Sequence, residues 1–370
     1  MRTLVVTNDF PPRPGGIQQF VHALASRLPS DEVVVYAPRW KRDALFDAEQ
    51  PFPVVRHPTS LMLPVSSVLR RAREVARAEG CDTVWFGAAA PLALLARPLR
   101  LERSVASTHG HEVGWARVPV ARQLLHRIGS TVDVVTYLAD YTRVRLQPAF
   151  GKKARLERLP SGVDTDVFHP GAGREDVRRA LALADRPVVV CVSRLVPRKG
   201  QDVLIRALPA IRNAVPGAAL LVVGGGPDMP RLQRLAVEHG VADHVRFTGS
   251  VPWSELPAHY AAGDVFAMPC RTRLGGIDVE GLGIVFLEAA ATGLPVVAGG
   301  SGGAPDTVRD GETGVVVDGR DVERVAREVG SLLADPRRAA AMGAKGRAWV
   351  ESEWRWDVLA TRLRSLLAGG

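Results

Sequence analysis

The stretch DVEGLGIVFLEAAATGLPVVAGGSGGAPDTV, Asp278 to Val308, sets Glu280 in a glycine-bearing loop and Glu288 in an apolar run. A plain amphipathic helix is not written this way. The preceding DVFAMPC reads as a strand, so a helix is expected to begin near Gly283, run through IVFLEAAAT and end on Gly293. The amides of Gly283, Ile284 and Val285 then form the positive end of that helix, which suits a phosphate. Carboxylates repel phosphate, so Glu280 and Glu288 should flank it and hold hydroxyls: a sugar on one side, a diphosphate at the amides, a ribose on the other. A capped core helix with two surface glutamates is the plainer alternative. It leaves unexplained the second glycine cluster, GGSGGAPD, after the next strand at the same sheet end.

Working outward, short apolar runs alternate with helical patterns along all 370 residues. RTLVVTN, EVVVYAP, TVWFGA, SVAST, VDVVTYL, PVVVCVSRL, AALLVVGGG, HVRFTG, DVFAMPC, PVVAGG and TGVVV read as strands buried on both faces. Helices such as GIQQFVHALASRL and GQDVLIRALPAIRNAV carry apolar residues at three- and four-residue spacing. The fold class is therefore α/β, and the length favours two domains. The pattern breaks at LPSGVDTDVFHPGAGREDV, which places an N-terminal Rossmann-like domain over 1–170 and a second over 171–353. Residues 354–370 are expected to form a helix packing back onto the first. The two doubly wound parallel sheets are expected to face each other across a cleft, where open α/β sheets bind ligands.

The formal net charge is +9, and it is uneven: through Pro170 there are 23 Lys+Arg against 16 Asp+Glu. Nucleic acid, an anionic membrane or a phosphorylated substrate each suits such a surplus. Aromatics are scarce and no basic–aromatic stacking pattern appears, so nucleic acid ranks last and no nucleic-acid partner is expected. No apolar run is long enough to span a bilayer, and the N-terminus enters a strand pattern at once, without a signal peptide. Cys81, Cys191 and Cys270 match no metal or redox spacing and read as reduced thiols of a cytosolic protein.

From Glu280 to Glu288 the chain resembles the E-x7-E signature of the retaining GT-B glycosyltransferases of family 4. VSRLVPRKG resembles the cation pair for the donor diphosphate, Arg194 and Lys199, and PPRPGGIQQF the N-terminal glycine loop, Gly15 and Gly16. THGHEVGW resembles the loop whose histidine reaches the transferred sugar, His109, with His111 as a rival. The run Cys270–Val308 further resembles the branch that uses GDP-mannose on a phosphatidylinositol mannoside. The resemblance implies Glu280, His109, Arg194 and Lys199 as catalytic residues. Donor binding would fall to Gly15, Gly16, Arg194, Lys199, Val251, Glu280, Gly283, Ile284, Val285 and Glu288. It implies transfer with retained configuration by same-face attack, with no carboxylate nucleophile, no catalytic metal and no cofactor beyond the substrate GDP-mannose or another nucleotide-sugar.

Other residues are assigned by position. Glu255 is a candidate partner for guanine, and Asp9 for acceptor hydroxyls. Asp164–Asp166 forms a D-x-D in a Pro/Gly-rich turn, where turn and capping roles are expected rather than metal binding. VVGGGPDM lacks the third glycine of a dinucleotide fingerprint. LMLPVSSVLRRAREVARAEG places Val65, Val68, Leu69, Ala72, Val75 and Ala76 on one helical face. Arg70, Arg71, Arg73 and Arg77 project elsewhere. Two readings stand side by side: a helix lying on an anionic membrane, which a glycolipid acceptor at the inner face of the cell membrane favours, or an ordinary helix packed on its sheet with solvated arginines. Transfer to another donor or acceptor within the family, or a nucleotide-sugar epimerase on the same fold, are the enzymatic alternatives.

Overall fold

The computed structural model describes all 370 residues, and the chain divides into two compact units. The first comprises Met1–Gly162 and Trp356–Gly370; the second is Val163–Arg355. The proline- and glycine-rich turn around Pro170 lies inside the second unit.

The first unit is a seven-stranded parallel sheet in the order β3-β2-β1-β4-β5-β6-β7. Its strands are β1 (Thr3–Val6), β2 (Val33–Pro38), β3 (Val54–His57), β4 (Thr83–Phe86), β5 (Arg103–Ser107), β6 (Val134–Tyr137) and β7 (Leu156–Arg158). β1 pairs with β2 through Val5 and Val35 and with β4 through Val5 and Trp85. Alternate residues serve opposite faces, as the pleat requires. Leu4, Val6, Val34 and Phe86 join one core with Val68, Ala72 and Ile128, while Val5, Val35 and Trp85 join another with Phe20 and Leu24. That second core also takes Leu359, Leu363 and Leu366 of the helix Trp356–Leu367. Ion pairs of Arg364 with Glu32 at 2.6 Å and Arg27 with Asp357 at 3.0 Å fix its orientation at the rim.

The helix Ser66–Ala78 settles one of the two readings given above. Val68, Ala72, Val75 and Ala76 are buried against the sheet and Leu69 partly so, which covers the apolar face of the helix, whereas Val65, expected on that face, lies ahead of its first turn and is exposed. Its arginines do not form one patch. Arg70 and Arg71 share Glu74, whereas Arg73 donates to the Pro98 carbonyl.

The second unit is a six-stranded parallel sheet in the order β10-β9-β8-β11-β12-β13. Here β8 is Val188–Val192, β9 Ala219–Val223, β10 Val245–Gly249, β11 Val265–Met268, β12 Val296–Gly299 and β13 Gly314–Val317. The four central strands are buried along their whole length, consistent with helices on both faces. Asp164 accepts from the amides of Asp166 at 3.0 Å and Val167 at 3.2 Å, so the D-x-D is a capped turn.

Leu363 is fully buried. Leu363→Ala should cost the first unit about 2–5 kcal/mol by opening a cavity under its C-terminal helix. Urea unfolding followed by tryptophan fluorescence measures this; a midpoint unchanged from wild type would show that the helix adds nothing to the fold.

Candidate functional site

The apolar run after Glu280 is helical from Ile284 to Ala291, one residue past the expected start at Gly283. Gly283 caps it at φ 83°, a left-handed conformation suited to glycine. At the far end Gly293, at φ 80°, donates to the Ala290 carbonyl, and Leu294 donates to that of Ala289. This pair of hydrogen bonds closes the helix as a Schellman turn. Phe286, Leu287 and the alanines are buried, and Phe286 meets Phe266 of β11 edge-to-face at 5.7 Å.

Glu280 sits in the loop ahead of this helix, 7% exposed, and its carboxylate accepts from Lys199 Nζ at 2.6 Å. Lys199 is itself 8% exposed and lies in the short turn Pro197–Lys199 after β8. Gly200 follows at φ 80°, and a Cβ there would lie 2.0 Å from the Pro269 carbonyl oxygen. Only glycine lets the turn approach the end of β11 so closely. Arg271 donates its amide to the Arg198 carbonyl at 2.8 Å, and Arg198 pairs with Asp278 at 3.3 Å. The two loops are thereby stitched together next to the Lys199–Glu280 pair. Arg194, the other expected cation, is exposed just beyond β8.

The second glycine cluster has a specific task. Gly303 donates its amide to the Glu280 carbonyl at 3.0 Å, and Ser301 Oγ accepts from the Glu280 amide at 3.3 Å. A Cβ on Gly302, at φ 56°, would stand 1.8 Å from the Glu280 carbonyl oxygen. GGSGG is therefore a cradle for the Glu280 main chain, a role that the sequence reading, which took the cluster as support for a ligand site at that sheet end, did not assign.

Glu288, one turn into the helix, has a different environment. It is half-buried, and Tyr260 donates its phenol to Glu288 Oε2 at 2.6 Å. Burial pushes the Glu288 acid up to about 7, with the Tyr260 hydrogen bond pulling the other way. Burial and the facing carboxylate also hold the Tyr260 phenol well above its ordinary value. Tyr260 stacks on Phe266, so an aromatic column positions it. Nothing in the sequence singles it out: it is 28 positions from its partner. Val251 lies in the loop after β10, and Glu255 is exposed at the start of the helix Leu256–Ala261.

The remaining expected residues belong to the first unit. Gly15 and Gly16 open the helix Gly16–Ala25 after β1. Asp9 accepts from Gln18 Nε2 at 2.8 Å, and its amide donates to Thr7 Oγ1 at 2.9 Å. His109 Nε2 lies 2.6 Å from the Gly87 carbonyl. A carbonyl only accepts, so Nε2 carries the proton and Nδ1 is left as the acceptor of a neutral ring. Burial lowers its pKa, which favours that neutral form. Glu112, fully buried, accepts from the amides of both His109 and Gly110 at 3.0 Å and holds the loop. Sequence reading missed Glu112, although an acid three residues past the histidine is a capping signal. The rival His111 is 43% exposed beside Glu112.

The profile described as "Glycosyltransferase Family 4" matches residues 14–167, and that described as "Glycosyl transferases group 1" matches 173–349. The GDP-mannose-dependent alpha-(1-6)-phosphatidylinositol monomannoside mannosyltransferase of Mycolicibacterium smegmatis is 58% identical, over 99% of this chain and 98% of that protein. The chain belongs to glycosyltransferase family 4. The GDP-mannose-dependent monoacylated alpha-(1-6)-phosphatidylinositol monomannoside mannosyltransferase of Corynebacterium glutamicum is 47% identical to this glycosyltransferase, over 99% of the chain and 97% of its own. Among solved structures, HepE of Anabaena in complex with UDP superposes with a TM-score of 0.82 at 18% identity, covering both chains fully. At that identity the likeness speaks for the fold, two parallel-sheet Rossmann-like domains of the GT-B kind.

Two outcomes test this geometry. Gly302→Ala should displace the Glu280 loop and lower turnover at least tenfold with the fold retained; full activity would mean that the cradle tolerates a Cβ. Glu288 has a folded pKa raised above its unfolded value of 4.5. Its contribution to stability is therefore fully present below pH 4.5 and is lost as pH rises through about 7. Thermal melts across that window should show a decline that Glu288→Gln flattens, and parallel curves for the two proteins would refute the shift.

Proposed function

We propose that this glycosyltransferase moves mannose from GDP-mannose to a phosphatidylinositol monomannoside, forming an α-1,6 linkage with retained configuration. The supporting observation is the end-to-end 58% identity to relatives named for that donor and acceptor. The Lys199–Glu280 pair and Glu288 at one sheet end give it a chemical basis.

In this reading Arg194 and Lys199 hold the donor diphosphate, together with the first-turn amides at Gly283, Ile284 and Val285. Lys199 then exchanges its bond to Glu280 for the incoming phosphate, and the freed carboxylate accepts sugar hydroxyls. Glu288 takes the ribose diol, for which its ionised form is the better acceptor. Val251 offers backbone bonds to the base, with Glu255 as the acceptor for guanine. Gly15 and Gly16 supply further amides for phosphate, and Asp9 receives an acceptor hydroxyl. His109 offers Nδ1 as an acceptor to the transferred sugar.

Retention follows from attack on the face the diphosphate leaves. The bond from the anomeric carbon to phosphate oxygen breaks, the bond to acceptor oxygen forms, and the acceptor proton passes to the departing phosphate. Neither glutamate serves as a nucleophile, which a double displacement would require. Positive charge on the leaving group comes from Arg194, Lys199 and the helix amides, without a catalytic metal. No helix is long and apolar enough to cross a membrane. A water-soluble donor and a lipid acceptor meet at a surface, so the enzyme works peripherally at the inner membrane face, with Arg70, Arg71, Arg73 and Arg77 adding to its positive field.

Purified protein offered GDP-mannose, UDP-glucose and UDP-N-acetylglucosamine with phosphatidylinositol monomannoside should make a dimannoside from GDP-mannose alone. Lys199→Ala and Glu280→Gln should each lower turnover roughly 10²–10³-fold with melting temperature retained. Preference for another donor, or a product with inverted linkage, would sink the assignment.

A further inference from the structure

Two loops at the C-terminal end of the first unit's sheet carry an exposed surface that none of the site residues uses. β2 and β3 are paired there through Pro38 and His57, and each leads straight into one loop. The first contains Arg39, Trp40, Lys41 and Arg42 and runs into a short helix, Asp43–Ala48, that carries Leu45; the second contains Leu61, Leu63 and Val65. Leu45 is 71% exposed, Leu61 54%, Leu63 50%, Val65 49% and Trp40 38%. Single exposed apolar residues are ordinary, but five on two joined segments are not.

The loops are tied to each other and to the acceptor end of the unit. Arg39 donates its amide to the carbonyls of His57 and Thr59, both at 3.0 Å. Asn8 grips both main-chain groups of Met62, at 2.7 and 2.9 Å, next to Asp9. Met62 is fully buried, so Leu61 and Leu63 on either side of it turn outward. The charge on this ledge is mainly positive. The Arg13 guanidinium lies 5.2 Å from the Trp40 ring, and Arg39, Lys41 and Arg42 are exposed. The one acid between Arg39 and Leu45, Asp43, is engaged with the amides of Trp40 and Ala44. Leucine tips, an amphipathic tryptophan and a surplus of cations are the composition of a surface that sits in the headgroup layer of an anionic bilayer. The helix Ser66–Ala78 cannot serve in that way, because its apolar face is occupied by the core.

We infer that the ledge formed by residues 39–45 and 61–65 docks this enzyme on an anionic lipid bilayer and so presents the acceptor headgroup to the Asp9 loop. The inference rests on the glycolipid reading of the acceptor for its purpose, though not for the binding itself.

Co-sedimentation with mixed phosphatidylcholine–phosphatidylglycerol vesicles tests it, with pure phosphatidylcholine vesicles as the neutral arm. Wild-type protein should prefer the mixed vesicles. Leu61→Ser with Leu63→Ser should lower partitioning about tenfold or more. Lys41→Glu with Arg42→Glu should lower it at low salt and much less at high salt. Transfer to vesicle-embedded phosphatidylinositol monomannoside should fall in parallel, whereas transfer to its deacylated, water-soluble form should stay within about twofold of wild type. Vesicle binding that depends on the ledge in a protein that mannosylates neither acceptor would leave the dock standing and remove the proposed reaction. Wild-type partitioning by the leucine variant would overturn the dock. So would equal loss of transfer to the water-soluble acceptor, or a homodimer in sedimentation velocity that the leucine substitutions dissociate.

Discussion

The second unit is organised around one buried ion pair, Lys199 with Glu280 at 2.6 Å. Taking both charges out of water is costly, and similar apolar side chains would pack there at lower cost. The pair persists because the main chain around it is held on every side. Ser301 and Gly303 bond the Glu280 peptide groups, and the Arg271 amide bonds the Lys199-bearing turn. The close approaches at Gly200 and Gly302 exclude a side chain at either position. A site preorganised in this way resists the collapse that would otherwise neutralise the charges, and it leaves each partner ready to exchange the other for a ligand.

Eight residues on, the second carboxylate is treated in the opposite manner. Glu288 faces a phenol rather than a cation, and burial brings its acid up to about 7. Two glutamates of similar sequence context thus differ in character because one projects from a loop onto an ammonium and the other from a helix onto an aromatic column. Carboxylates with diverging environments are a common mark of a division of labour within one site.

The strands in the middle of both sheets were legible as apolar runs because both of their faces are covered. β3 and β7 were not. They are the two edges of the first sheet, half-buried and carrying Arg56, Glu157 and Arg158 in place of continuous valine and leucine. In the site, the helix and its two glutamates could be read from glycine placement and spacing. Tyr260 and the reason for Gly302 could not, since both depend on which distant backbone the fold brings alongside. A tyrosine between alanine and histidine is a core residue by any local measure. Its partner is supplied by the neighbouring element.

The helix Ser66–Ala78 shows a different limit. Its periodicity reports that one face is apolar and says nothing of what covers it, so a membrane and a sheet are equivalent from sequence alone. The five residues before it are the inverse case. They read as an apolar lead-in to that helix, with Val65 on its apolar face, yet Asn8 fixes Met62 inward by both of its main-chain groups. A strand-like alternation then sends Leu61 and Leu63 outward, where the chain leaves half of each side chain uncovered. The exposure is therefore imposed by the same segment that carries Asp9, and it is not a slack loop happening to face water. Apolar surface held out at a fixed place by buried hydrogen bonds costs solvation, and that cost is offset only when something outside the chain covers it.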